Sequence, residues 1–191
     1  MKRLNHPEIE LKFSLDDPEE IKKRLREAGF SSQGAIFEFN VVFDTPARTL
    51  SSNGRLLRLR RDSKVKLTYK EPPAEKSSLA SRFKVKSESE LELGDFETMR
   101  FILHRLGFTE ERIYEKYREH FTRGDGASAE LDHLPHLGYY LELEDIPDKI
   151  EALAAELGLD PARGLRQNYF QLYKGYCRRT GQAGQDMRFD G

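Results

Sequence analysis

Ionic and apolar residues alternate in the segment Pro7-Glu8-Ile9-Glu10-Leu11-Lys12-Phe13-Ser14. Its even positions from Glu8 to Lys12 are ionic, and its odd positions from Ile9 to Phe13 are apolar. Because successive side chains of a β-strand point to opposite faces, the segment predicts a strand with one ionic and one apolar face. Taken alone, such a strand most simply turns its charged face to water.

Seven further segments predict β-strands, and most of them repeat this alternation. They cover approximately residues 34–44, 55–61, 64–70, 82–91, 112–122, 128–133 and 139–144. Asp62-Ser63 is a tight turn that makes a hairpin of the third and fourth strands. The interval 71–81 contains Pro72, Pro73 and small polar residues, and we expect it to be a loop that acts as a mobile lid.

Four helices are predicted from apolar residues at helical spacing, bounded by residues that start and end helices. The predicted spans are Asp17 to Gly29, Asp95 to Gly107, Pro147 to Gly158, and a last helix that begins at Asp160-Pro161 and is weakened at Gly164. The segment from Thr180 is rich in Gly and Gln, as flexible termini often are. We therefore expect one domain over residues 1–179 and a flexible tail over 180–191.

Composition limits the classes of protein that fit this pattern. The 191 residues suffice for one sizeable core, and the net charge of −1 is unlike that of a disordered chain, although 34% of the residues are charged. A balanced charge gives no general electrostatic reason to bind nucleic acid or a membrane. The single cysteine excludes an intramolecular disulfide, and no apolar run is long enough to span a membrane. We expect a soluble, cytoplasmic protein.

The ionic faces of the predicted strands carry charges of both signs. They contain Glu8, Glu10, Lys12, Arg58, Arg60, Lys66, Lys70, Lys84, Lys86, Glu88, Glu90, Lys116, Arg118, Glu130, Asp132, Glu142 and Glu144. Periodicity places them on one side of a sheet without deciding whether that side faces water. Two features favour the inside of a closed barrel: the faces are almost purely ionic, and the apolar stripes of the helices need an apolar sheet surface to cover.

Enclosing so many charges is costly unless opposite signs or a ligand balance them. Arginine and lysine bind phosphate oxygens, whereas carboxylates bind hard divalent cations such as Mg²⁺ or Mn²⁺. An ionic lumen with both signs therefore suits a polyanion together with a divalent cation.

A specific resemblance supports this interpretation. Glu8-x-Glu10-x-Lys12 is similar to the ExExK signature of the CYTH superfamily, the triphosphate tunnel metalloenzymes. Further matches follow in the order of the family, over roughly residues 7–176. They are Val42-Phe43-Asp44-Thr45, Leu57-Arg58-Leu59-Arg60, Leu67-Thr68-Tyr69-Lys70, Glu88-x-Glu90, Glu115-Lys116-x-Arg118, Leu131-Asp132, Gly138-x-x-Leu141-Glu142-Leu143-Glu144 and Gln167-Asn168-Tyr169-x-x-Leu172.

The resemblance implies an α+β fold, with helices packed outside a closed eight-stranded antiparallel β-barrel whose tunnel binds a triphosphate and Mg²⁺ or Mn²⁺. The implied metal ligands are Glu8, Glu10, Glu142 and Glu144, with Asp132 next. The implied phosphate contacts are Lys12, Arg58, Arg60, Lys70, Lys116 and Arg118. Glu88 and Glu90 would orient these bases or serve a second metal ion, whereas Lys66, Lys84 and Lys86 match no fixed family position and fit solvated surface lysines equally well.

The resemblance leaves the reaction open. It implies catalytic roles for Lys12, Glu10 and Glu142, and either Lys12 or a bound water would assist proton transfer. The motifs are most similar to class IV adenylyl cyclases, which convert ATP into cyclic AMP and pyrophosphate, although Glu71 stands where a Gly is common. Hydrolysis of inorganic, nucleoside or thiamine triphosphate is the close alternative, and a non-catalytic nucleotide or polyphosphate sensor is the third.

The expected partner is a small molecule that contains a triphosphate, such as ATP. No nucleic acid or membrane is expected. The apolar outer faces permit a homodimer, which the resemblance also suggests.

Overall fold

The computed structural model describes residues 3–73, 82–182, 184 and 186–190. Within these residues, eight antiparallel strands close into a barrel in the order β1-β5-β4-β3-β2-β6-β7-β8. The strands are β1 Arg3–Leu15, β2 Ser31–Asp44, β3 Leu56–Arg61, β4 Val65–Glu71, β5 Lys84–Leu93, β6 Thr109–Thr122, β7 Ser128–Leu134 and β8 Gly138–Glu144. The predicted closed barrel is confirmed. The predicted lid falls mostly on residues 74–81, which lie outside the described part.

Helices pack on the outer surface of the barrel and across one of its ends. They are α1 Pro18–Glu27, α2 Thr49–Ser52, α3 Phe96–Arg105, α4 Pro147–Glu156 and α5 Tyr169–Thr180. Asp17 and Asp95 begin α1 and α3 as predicted, since their carboxylates accept backbone N–H groups of the first turn. None of the helices in the described ranges is long and apolar enough to cross a membrane.

The predicted start of the last helix at Asp160 is wrong. Pro161–Arg163 form only a 3-10 turn, and α5 begins after Asn168. The intervening chain instead pairs with β1, where the backbone N–H of Leu165 donates to the carbonyl of Lys12 at 2.7 Å. Gly164 permits this approach, because a Cβ atom there would lie 2.5 Å from Leu11 Cδ1. A helix through these residues would lose the contact with β1.

The end of the chain also differs from the expected flexible tail. Met187 is fully buried, and its backbone exchanges hydrogen bonds with Ile113 and Glu115 of β6 at 3.0 and 2.9 Å. This edge of β6 is available because β7 pairs with β6 only from Tyr117 onward. Residues 186–190 therefore pack against the barrel wall.

The apolar face of the sheet lies under the helices, as the alternation predicts. Leu11 and Phe13 of β1 pack in one core cluster with Ile21 and Leu25 of α1. On another side, Phe43 of β2 belongs to the cluster that includes residues of α3. The opposite face of each strand therefore points into the barrel.

Candidate active site

The barrel encloses a cavity of about 880 Å³ whose wall is dominated by ionic side chains. All predicted site residues except Asp132 line it. They are Glu8, Glu10, Lys12, Arg58, Arg60, Lys70, Glu88, Glu90, Lys116, Arg118, Glu142 and Glu144. The structure therefore brings together side chains that are up to 136 residues apart in the chain, from Glu8 to Glu144. Strand alternation and barrel closure are the reason.

Lys12 is held between two carboxylates at the junction of β1 and β8. Its Nζ donates to Glu10 Oε1 at 3.1 Å and lies 2.5 Å from Glu142 Oε1. Glu142 is the cross-strand neighbour of Lys12, so the register of the barrel makes this pair. Burial lowers the pKa of Lys12, but Glu142 and Glu10 outweigh it, and the pKa is raised. Lys12 is therefore an ammonium that donates hydrogen bonds, not a proton acceptor.

The lysines that matched no family position also point into the cavity. Lys84 Nζ donates to Glu10 Oε1 at 2.8 Å, and Lys66 Nζ lies 2.9 Å from Glu90 Oε1. Lys86 lines the same cavity and donates to the carbonyl of Gly54 at 2.8 Å. The signal was present in the sequence, since these lysines share strand parity with the other ionic positions. Of the two alternatives, the structure favours cavity lysines for Lys66 and Lys84, whereas the hydrogen bond of Lys86 is exposed to solvent.

Asp132 lies behind the cations of β6 instead of on the cavity wall. Its side chain is fully buried and accepts two hydrogen bonds of 2.6 Å from Arg118 and one of 3.0 Å from Lys116 Nζ. Tyr169 Oη donates a fourth hydrogen bond at 2.7 Å. The oxygens of Asp132 are thus engaged by two bases and a tyrosine hydroxyl, and its place among the metal ligands stays a prediction.

Sequence reasoning missed the inner face of β2. Glu38 is only 3% exposed and lies 3.3 Å from Arg60 and 3.6 Å from Lys116. Burial raises the pKa of Glu38, but Lys116, Arg118 and Arg60 outweigh it and lower the pKa to about 2. Glu38 and Asn40 occupy alternate positions of β2 and so share one face of the strand. This pattern could have revealed them in the sequence, although Phe and Val dominate the segment. Tyr169 was named as part of a family motif and was given no role in the site, although its hydroxyl donates to Asp132.

Arg58 is a half-buried cation that is paired with no carboxylate among the described residues. It donates to Tyr114 Oη at 3.0 Å and to Thr68 Oγ1 at 3.4 Å, and its Nε is buried without a hydrogen-bond partner in the described part. Burial lowers the pKa of Arg58, but Tyr114 and Glu38 outweigh it and the pKa is raised. A charged guanidinium in this state is a ready donor for an anion.

Several glutamates lie close to one another at one part of the wall. Burial and the charge of Glu8 raise the pKa of Glu144 to about 7, with further contributions from Glu88 and Glu10. Glu8 Oε2 is buried and has no hydrogen-bond partner in the described part. A set of ligands that consists of carboxylates, with no histidine or cysteine, is the kind that hard cations such as Mg²⁺ and Mn²⁺ prefer. The chemistry of these donors fits a divalent cation.

The carboxylates are not yet gathered around a single point. Across residues 3–73 and 82–182 and the described positions beyond, no three His, Cys, Asp or Glu side chains are placed to share one metal ion. Lysines occupy their oxygens instead: Lys70 Nζ lies 2.5 Å from Glu8 and 2.6 Å from Glu88. Binding of a divalent cation here therefore requires the carboxylates to exchange ammonium partners for the metal.

One mouth of the cavity differs from the rest because aromatic groups line it. Phe170, the second residue of α5, meets the ring of Tyr114 edge-on at 5.0 Å between centroids. The guanidinium of Arg112 lies over the Phe170 ring at 4.4 Å. We call Arg112, Tyr114 and Phe170 the aromatic shelf. It places aromatic rings and a positive charge on the wall of the ionic cavity.

Comparison with known proteins agrees with the fold and the motifs. A family model described as "CYTH domain" matches residues 6–168. "Putative adenylate cyclase MJ0240" of Methanocaldococcus jannaschii is 31% identical over 177 residues, which is 86% of this chain and 97% of that protein.

Two solved structures show the same fold. A structure from Vibrio parahaemolyticus, described as "a putative adenylate cyclase", has a TM-score of 0.76 at 19% identity and covers 89% of this chain and 99% of that chain. HpAC1 from Hippeastrum is described as a "putative adenylyl cyclase" with a dominant triphosphatase activity. It has a TM-score of 0.59 at 19% identity and covers 96% of this chain and 98% of that chain.

Proposed function

The chain belongs to the CYTH family, and from this premise we propose that it is a divalent-cation-dependent enzyme that acts on a nucleoside triphosphate. The first candidate reaction is that of an adenylyl cyclase, ATP to cyclic AMP and pyrophosphate. One observation carries the proposal: the cavity wall brings together Arg58, which is paired with no carboxylate among the described residues, and a group of neighbouring glutamates that includes Glu144. A polyanion and a divalent cation together would satisfy both.

The phosphate chain would be bound by the bases on the cavity wall. Arg58 has no carboxylate to release within the described ranges, so it would be the first contact that an entering phosphate satisfies. Arginine presents a planar fork of donors that matches phosphate oxygens, whereas lysine acts as a point charge. The other bases that line the cavity and fit this role are Lys12, Arg60, Lys70, Lys116 and Arg118.

Glu8, Glu10, Glu142 and Glu144 would hold the divalent cation. When bound, Mg²⁺ or Mn²⁺ would neutralise phosphate oxygens and favour departure of the leaving group. Glu144, with a pKa of about 7, would lose its proton to become a ligand. Lys12, freed from Glu10 and Glu142, would direct its ammonium at a phosphate oxygen.

The cyclase reaction needs a ribose hydroxyl to attack the α-phosphorus and needs pyrophosphate to leave. The fixed cations of the wall would stabilise the charge that develops on the pyrophosphate. A volume of about 880 Å³ lies within the range of sites for small organic ligands and exceeds the needs of inorganic triphosphate alone. The aromatic shelf offers a surface against which a nucleoside can lie. These features favour a nucleotide substrate.

Hydrolysis of a triphosphate is the second candidate. The same cations and carboxylates would serve an attack by water on a terminal phosphorus, and HpAC1, which shares the fold, is described with a dominant triphosphatase activity. A non-catalytic sensor is less well supported, because binding an anion alone does not require so many carboxylates.

The proposal is tested by incubating the protein with Mg²⁺ or Mn²⁺ and either ATP or inorganic triphosphate. We expect cyclic AMP and pyrophosphate from ATP. Orthophosphate as the main product from either substrate would show that the enzyme is a hydrolase and not a cyclase. Tight binding without any turnover would contradict an enzymatic function.

A further inference from the structure

Hydrogen bonds of the chain before and after Tyr169 fix the position of this residue. Before it, the N–H of Leu165 donates to the carbonyl of Lys12 at 2.7 Å, which ties the segment to β1. At the start of α5, Asn168 and Gln171 form a reciprocal capping box with two hydrogen bonds of 2.9 Å. As the first residue of the helix, Tyr169 is thereby directed at the wall formed by β1, β6 and β7.

The two ends of the Tyr169 side chain touch different parts of the site. Its hydroxyl donates to Asp132 Oδ2 at 2.7 Å. Its ring lies under two ammonium groups, 4.3 Å from Lys12 Nζ and 5.6 Å from Lys116 Nζ. Burial, and then the charge of Asp132, raise the pKa of the Tyr169 hydroxyl well above its ordinary value, so it remains a donor.

Asp132 accepts hydrogen bonds from three side chains. Oδ2 accepts from Tyr169 at 2.7 Å, Lys116 at 3.0 Å and Arg118 at 2.6 Å, while Oδ1 accepts from Arg118 Nε at 2.6 Å. The carboxylate is fully buried, so water cannot replace a lost donor. Without the tyrosine hydroxyl, it would draw Lys116 and Arg118 more strongly to itself and leave them less available to an anion.

We propose that Tyr169 is a positioning residue for substrate phosphate. By donating to Asp132, it holds Lys116 and Arg118 at the orientation in which their remaining donors face the cavity, and its ring holds Lys12. The inference rests on the proposed function, because it takes phosphate to be the anion that these cations bind. It assigns Asp132 to the same unit and not to the metal site.

Replacing Tyr169 by Phe removes the hydroxyl and keeps the ring. We expect inorganic triphosphate to bind the variant about tenfold more weakly in calorimetry, the order expected for losing one hydrogen bond to a charged group. The KM for the triphosphate substrate should rise by a similar factor with kcat changed less than about threefold, the pattern of lost uniform binding. Half-maximal activation by Mg²⁺ should occur at the same concentration.

Tyr176→Phe is the matched control, because Tyr176 is on the same helix and its ring stacks on His136 away from the cations. A Tyr169→Phe variant that melts at a lower temperature but binds triphosphate as tightly as the wild type would overturn the inference, since Tyr169 would then serve folding alone. In that case the proposed function stands. Failure of the wild-type protein to bind triphosphate would instead overturn the proposed function, and the inference with it.

Two further variants separate positioning from other roles. Combining Tyr169→Phe with Lys116→Met should weaken triphosphate binding by less than the product of the two single effects, because both act through one contact. Independent, multiplicative effects would contradict the proposal. Asp132→Asn should leave the Mg²⁺ concentration for half-maximal activation unchanged. A clear increase would make Asp132 a metal ligand and overturn its assignment, whether or not Tyr169→Phe folds.

Discussion

At the scale of single residues, many charges of the site are paired with one another. Lys12 lies between Glu10 and Glu142, and Lys70 lies between Glu8 and Glu88. Paired burial of this kind avoids the cost of an isolated charge in the protein interior. Under the proposed function, each pair would supply a base for phosphate and an acid for a cation once the partners separate, so one set of residues would serve both states.

Replacing Glu10 by Gln should remove most of the turnover. The change keeps the size of the side chain but removes the negative charge that would hold the divalent cation, and we expect a loss of at least about 100-fold in kcat. Steady-state rates at saturating Mg²⁺ measure it. Glu27→Gln is the control, because Glu27 is an exposed residue of α1 whose side chain is 65% exposed. Equal rates for the wild type and Glu10→Gln would contradict the site assignment.

Glu38 should make the stability of the protein depend on pH in acid. Its pKa is lowered from 4.5 to about 2 in the folded protein, so the stabilisation is complete above about pH 4.5 and disappears as the pH falls towards 2. The full contribution is on the order of 3 kcal/mol. Urea unfolding should therefore show that the advantage of the wild type over Glu38→Gln is smaller by about 1 kcal/mol at pH 3.5 than at pH 7. A constant difference between the two proteins would contradict the pairing of Glu38 with the bases.

At the scale of elements, local patterns predicted most strands and three helices because each pattern lies within one continuous segment. The alternation in β1 and the capping aspartates of α1 and α3 are examples. The start of α5 and the place of residues 186–190 were predicted wrongly, because long-range pairing decides both. Leu165 pairs with β1, and Met187 pairs with an edge of β6 that only the barrel leaves open.

Gly164→Ala tests the contact that displaces the start of α5. An added Cβ would lie 2.5 to 2.8 Å from three side-chain carbons of Leu11, so we expect destabilisation by about 1–3 kcal/mol, as for other overpacked positions. Gly175→Ala is the matched control, because the nearest atom to its added Cβ is the flexible end of Arg179 at 3.7 Å. Helix propensity makes that change neutral or stabilising. Chemical denaturation compares the two, and equal effects would argue against the role of Gly164.

At the scale of the whole molecule, the helices outside and the charges inside follow from one closed sheet. Closure places β1 between β5 and β8, so the glutamates of β1 meet lysines from one neighbour and glutamates from the other. The result is an ionic cavity lined by residues from all around the barrel. Homodimer formation and a cytoplasmic location stay predictions.

Divalent cation and triphosphate should bind cooperatively. Either ligand must separate the same lysine–glutamate pairs, so the first to bind lowers the cost for the second. We expect Mg²⁺ to raise the affinity for triphosphate by roughly 10- to 100-fold, and triphosphate to raise the affinity for Mg²⁺ by the same factor. Calorimetry measures both after allowance for the complex that forms in solution, with KCl at equal ionic strength as the control. Independent binding would contradict the exchange of partners.

The sequence by itself determined which residues share a face, because the alternation of a strand is local. It therefore predicted the ionic lining, the apolar outer face and, through its motifs, the family. Only the tertiary structure decided which charges meet. Asp132 lies behind Lys116 and Arg118, and Glu38 joins the site from β2. The physical reason is register: closing the barrel fixes the stagger between strands, and that stagger selects the partner of each charge.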